Sequence, residues 1–227
     1  MYKLTLTGLL VLLTSFSVFS QSNYRAGSLT QININAKVAE TWKLNTKLEA
    51  RQIFSSRQPG EVVNNGFEYE RTDLGFMLTK KVSADNSLGG GYMVRMEDGS
   101  FTHRLSQQFS SVNTLEVLSI AHRVVADETF NNVDPAEFRL RYRLGMELPL
   151  NGQQVDPKEF YGKFNNEYLG IFAGSNPDLE IRGLLSLGYN AADNNKLELG
   201  FEYRINGFNE SVNAQQFWVT IAWFVSI

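Results

Sequence analysis

Cysteine is absent from the 227-residue chain, which excludes a disulfide framework, a thiolate zinc cluster and a thiol nucleophile. Charge of one sign is also lacking. The formal net charge is −3, and no basic run offers the footprint expected of a nucleic-acid binder. No long polar tract marks a linker, and no break in composition marks a domain boundary. Long apolar runs are missing as well. The longest, Leu9 to Phe19, falls well short of the roughly 20 residues that a membrane-spanning helix needs.

That one apolar stretch follows Lys3 and precedes Val18 and Ser20, two residues small enough for a signal peptidase site. A cleaved secretory signal over residues 1–20 is expected, with the exported chain beginning at Gln21. No cysteine follows the apolar stretch, so a lipoprotein is excluded. One domain is expected over residues 21–227.

What the rest of the chain has in abundance is alternation. Ile32, Ile34, Ala36 and Val38 interleave with Asn33, Asn35 and Lys37. Trp42, Leu44, Thr46, Leu48 and Ala50 interleave with Lys43, Asn45, Lys47, Glu49 and Arg51. A period of two places one set on each face of a strand, whereas helical spacing would smear both sets around a cylinder. Eleven segments of this kind can be drawn, many near the 9–11 residues that a tilted strand needs to cross hydrocarbon. Short connections are expected at Ala39–Thr41, Ser111–Thr114 and Asn190–Asn195. Longer ones are expected at Ser55–Gly66, Glu128–Glu137 and Asn206–Ala214.

The fold class expected is all-β, an antiparallel up-and-down transmembrane barrel of 10–12 strands. Twelve is favoured, because single-chain bacterial barrels have even counts; a short strand near Tyr24–Leu29 could supply the missing member. The strands as drawn carry no charge in their apolar phase, and Trp42, Tyr92, Phe138, Tyr189, Phe217 and Trp223 suggest belts at two membrane interfaces. The chain also ends within its last apolar alternation, Phe217 to Ile227. The location implied is the bacterial outer membrane. The partners implied are outer-membrane lipids, and the barrel-assembly machinery during insertion.

With this pattern in hand, the chain resembles the family called domain of unknown function 2490. The residues that carry the likeness are Trp42 with Arg51, Gly91-Tyr92, His103-Arg104 followed by Gln107-Gln108, and His122-Arg123. The fullest match is the run Arg139 to Leu144 leading to Glu147 and Pro149, with Glu167 and Arg182 beyond. The resemblance implies a small outer-membrane barrel. It brings no established activity, catalytic residue or cofactor. Ile227 departs from the terminal aromatic common in such barrels, although Trp223 and Phe224 stand close to it.

Two constellations could carry chemistry. Arg139, Arg141 and Arg143 project from one face of one strand and would repel one another alone. Glu147, Glu167 and Glu202 can pair with them, and Arg104, Arg123, Arg182 and Arg204 fall in the same phase. The result is either a salt-bridged plug or a porin-like lumen that prefers small anions, with a positive excess of about five charges in the polar phase. The second constellation is His103 and His122, which would stand opposite each other if Val112-Asn113 closed a two-residue hairpin. Such a pair could hold a metal or act as the base of a lipid-modifying enzyme, but Ser106 and Ser119 fall in the opposite phase and no third outward ligand is evident. A third possibility is surface binding or adhesion through the three longer loops. Gly89-Gly90-Gly91 is assigned to structure, since neither a Lys-Ser/Thr nor a helix follows it.

Overall fold

The computed structural model describes residues 23–131, 135–173, 176–208 and 213–227; the expected signal segment lies outside them. Among the described residues there is no helix. The elements are β1 Asn23–Lys37, β2 Trp42–Arg57, β3 Asn64–Lys81, β4 Asn86–Glu97, β5 Ser100–Leu115, β6 Leu118–Phe130, β7 Glu137–Pro149, β8 Glu159–Ala173, β9 Asn176–Ala192, β10 Asn195–Asn206 and β11 Ala214–Ser226. Each pairs with its sequence neighbours, and β1 closes on β11, so the sheet forms one barrel.

The strand count is eleven, not twelve. The stretch Tyr24–Leu29 is the first half of β1 rather than a separate strand. An all-antiparallel meander closes only with an even number, so an odd one needs a single parallel seam. That seam is β1 against β11, in register from Asn23↔Ala214 to Asn35↔Ser226. Parallel pairing is slightly weaker per residue than antiparallel pairing. The odd count also sets Asn23 at one mouth and Ile227 at the other, named here the N-terminal and C-terminal mouths.

The alternation decides which way each side chain points. Ile32, Leu48, Phe76, Leu105, Leu140, Phe164, Leu199 and Ile221 face outward and are exposed. Glu49, Asp73, Arg104, Asp127, Arg139, Glu167, Glu180, Glu198 and Arg204 face inward and are buried. The core is therefore a charged one, with a single apolar cluster of Leu29, Ile53 and Trp218. Contrary to the strands drawn from sequence, Lys80 and Glu128 stand in the outward phase, each near a strand end. Lys80 lies 5.5 Å over the Trp42 ring, and Glu128 projects from the last turns of β6.

Aromatic side chains gather outside at both mouths. Trp42, Phe160, Tyr189 and Trp223 mark the C-terminal end, with Phe160 and Tyr189 in ring contact at 4.9 Å. Phe101, Phe130, Phe138, Phe172 and Phe217 mark the other. Tyr92 does not join them, because it sits in the middle of β4.

Bulges and glycines adjust the wall. A register shift between Arg51 and Gln52 leaves Glu70 of β3 without a register partner, a bulge beside Tyr69. Gly89 and Gly91 make room for an inward neighbour, Met77, rather than for Tyr92, which points outward. Gly188 lies under the ring of fully buried Tyr161, so that any Cβ there would collide with the ring. Gly188→Ala is therefore expected to destabilise the barrel by about 1–3 kcal/mol in denaturant unfolding. Gly183→Ala, where a Cβ meets nothing within 4 Å, should stay within about 0.5 kcal/mol of the parent.

Candidate functional site in the barrel lumen

An eight-stranded barrel is filled by its own side chains, whereas sixteen strands leave a water-filled channel. Eleven lies between, so the size of the inward residues decides. Here they are long and paired. Glu167 of β8 is the most heavily shared carboxylate. It accepts from Arg143 Nε at 2.7 Å and from Arg182 Nη1 at 2.9 Å, and Arg141 Nε stands 3.8 Å away. The cross-strand register places Arg143 and Arg182 directly beside it on β7 and β9.

The arginine ladder is divided among separate partners. Arg141 Nη2 donates to Asp127 at 2.8 Å, and Asp127 also accepts from Ser106. Arg139 lies 3.2 Å from Glu137 and donates to Thr129 Oγ1 at 2.9 Å. Arg182 also donates to Glu180 at 2.6 Å, and Arg204 is ion-paired with Glu202. Arg104 reaches Thr129 and Met93. Among the described residues no carboxylate lies within 4 Å of Arg104 or of Arg123. Glu147 faces the C-terminal mouth, where it lines a cavity of about 270 Å³ with Tyr161, Lys163, Lys196 and Glu198.

Sequence reasoning passed over two contributors, Trp218 and Lys196. Trp218 is completely buried, packed on Gly27 of β1, and flanked by the guanidinium groups of Arg51 at 5.6 Å and Arg204 at 5.9 Å. Its position in the inward phase of β11 was legible, but it was overshadowed by the outward Phe217 and Trp223. Lys196 stands 5.2 Å over the Tyr161 ring. Asp73 takes two 2.8 Å bonds from Arg95. The lumen is thus asymmetric. Trp218 and the tightest ion pairs lie towards the N-terminal mouth, while Lys37, Lys43 and Arg123 are exposed towards the other.

The histidines are not opposed. The hairpin turns at Glu116-Val117 and β5 runs on to Leu115, so the expected turn at Ser111–Thr114 lies inside a strand. His103 pairs with Phe130 and His122 with Ser111. Thr114 and Leu115 continue the ladder opposite Ser119 and Leu118, which moved the turn without changing the faces. Each imidazole meets a tyrosine on a neighbouring strand. His103 Nδ1 shares a 2.6 Å hydrogen bond with Tyr92 OH, and His122 Nδ1 shares a 2.9 Å bond with Tyr142 OH.

Fold and lumen together define a closed, up-and-down β-barrel with an apolar exterior and a charge-paired interior. The chain belongs to the family described as protein of unknown function DUF2490, whose model matches residues 26–220. Neither curated proteins nor solved structures give a match.

Removing one partner of a buried ion pair leaves its charge uncompensated. Glu167→Gln would leave Arg143 without a carboxylate and take one of two from Arg141 and Arg182, and should cost about 3–5 kcal/mol in chemical unfolding. Glu147→Gln, at a carboxylate without an ion pair among the described residues, should cost under about 1 kcal/mol.

Proposed function

We propose that this chain is a bacterial outer-membrane barrel closed to ion flow, a structural wall element rather than an enzyme, exported by its N-terminal signal and inserted by the barrel-assembly machinery. The observation that carries this is the pairing of an apolar, aromatic-girdled exterior with an interior of buried ion pairs. A charged side chain facing lipid near the bilayer centre costs about 2–4 kcal/mol, whereas the same residue turned inward can find a counter-charge. Strands of 12 to 18 residues exceed the roughly 9–11 needed to cross the hydrocarbon. The closure rests on Trp218, which projects inward and is completely buried between Arg51 and Arg204.

A second reading is a small passive channel that prefers anions. It is favoured by the exposed Arg123, Lys37 and Lys43 towards the C-terminal mouth. The enzymatic alternative loses its starting point, because no other histidine stands opposite His103 or His122. Adhesion through loops has less surface than the sequence suggested, since β2, β3 and β6 extend into the segments drawn as long loops.

The test is conductance of the folded protein in a planar bilayer under a salt gradient. The parent should be silent, and Trp218→Ala should open discrete, anion-preferring steps. Steps in the parent would establish the channel instead. Silence in both, with heat-modifiable folding retained, would move the closure from Trp218 to the ion-pair lattice.

A further inference from the structure

Towards the N-terminal mouth, Arg104 of β5 and Arg139 of β7 converge on one hydroxyl. Arg104 Nε donates to Thr129 Oγ1 at 3.1 Å and Arg139 Nη2 donates to the same oxygen at 2.9 Å. Both arginines are only 8% exposed. A neutral hydroxyl cannot balance two guanidinium charges, so the pair depends on carboxylates nearby. Those are already committed. Asp73 takes both of its bonds from Arg95, and Asp127 is held by Arg141 and Ser106. Glu137, at the rim, lies 3.2 Å from Arg139 Nε and adds a weaker negative field at Arg104 from beyond 4 Å. Arg104 therefore has no carboxylate within 4 Å among the described residues; Arg95 and Arg141 add positive field beside it, answered in part by the more distant Asp127 and Asp73. Arg104 Nη2 retains buried N–H groups without a hydrogen-bond partner, and Arg139 Nε has only its 3.2 Å ionic contact with Glu137.

We infer that Arg104, Arg139 and Thr129 form a binding site for a phosphate-type oxyanion. The chemistry fits that class. Two planar guanidinium forks offer parallel N–H pairs that match tetrahedral oxygens, and the Thr129 hydroxyl can turn its own hydrogen towards a third. A single chloride would answer the charge but could not engage both forks. Glu137 is the competing internal anion. It occupies Arg139 and must yield part of that contact when the ligand enters. The site stands whether or not the lumen conducts, and it lies in the half of the barrel that also holds Trp218.

Titration of the folded full chain in detergent with inorganic phosphate, at constant ionic strength in chloride, tests this by calorimetry and by thermal unfolding. Saturable binding and a melting temperature that rises with phosphate are expected. Arg104→Gln and Arg139→Gln should each weaken binding at least about tenfold, the scale of losing one charge-assisted pair. Arg123→Gln, in the other half of the lumen, should leave it unchanged. Glu137→Gln should tighten it. In phosphate-free buffer Arg104→Gln should unfold no earlier than the parent, because it relieves repulsion; a purely structural arginine would lose stability. Absence of saturable binding to the parent, or equal binding by Arg104→Gln, overturns the site. If neither arginine variant folds, the parent's own response decides: no rise in melting temperature with phosphate overturns it as well.

Discussion

Charge compensation inside a narrow wall is the constraint on which the rest depends. Period-two alternation commits every second residue to the interior, and here those residues are arginines, glutamates and aspartates. An uncompensated charge there costs several kcal/mol, so each strand must be in register with partners that answer it. Glu167 shows the logic most fully. It lies between β7 and β9 and ties Arg143 and Arg182 to one carboxylate, and a one-residue slip of β8 would turn it outward. The lattice thereby selects the register as well as filling the space.

The proposed closure follows from the same constraint. Eleven strands leave more interior than eight, and long paired side chains occupy it where apolar ones would do so in a soluble core. Trp218, one of two fully buried aromatic side chains among the described residues, is held by cations on two sides and by Gly27 beneath it. The parallel seam runs through this same place, since Gly27 and Trp218 are register partners in β1 and β11. The weaker type of pairing is thus backed by the apolar cluster of the lumen.

Much of this was legible in the residues. Alternation identified the eleven strands and the inward phase of the arginine ladder, because a half-buried strand writes its two faces directly into its sequence. What failed was of a different kind. Evenness was borrowed from other barrels, whereas nothing in the local pattern of β1 or β11 forbids a parallel seam. The β5–β6 turn was misplaced because Val112, Asn113 and Thr114 resemble a turn, although the ladder continues through them to Leu115. That slip alone produced the apparent opposition of His103 and His122. Partner choice within the lumen was also beyond the pattern. Alternation says that Arg141 and Asp127 face inward, but only the side-chain geometry shows that Arg141 reaches Asp127 diagonally, past its register partner Arg139, while Arg104 is left without a carboxylate within 4 Å.

The most direct test of an apolar wall around a charged interior uses the three tryptophans. Two variants would be reconstituted into vesicles of brominated lipid, one keeping only Trp223 on the outer face and one keeping only Trp218 in the lumen, with phenylalanine at the other two positions. The expected result is strong quenching of Trp223 fluorescence and little quenching of Trp218. Unquenched Trp223, in protein shown to be folded, would contradict a lipid-facing exterior.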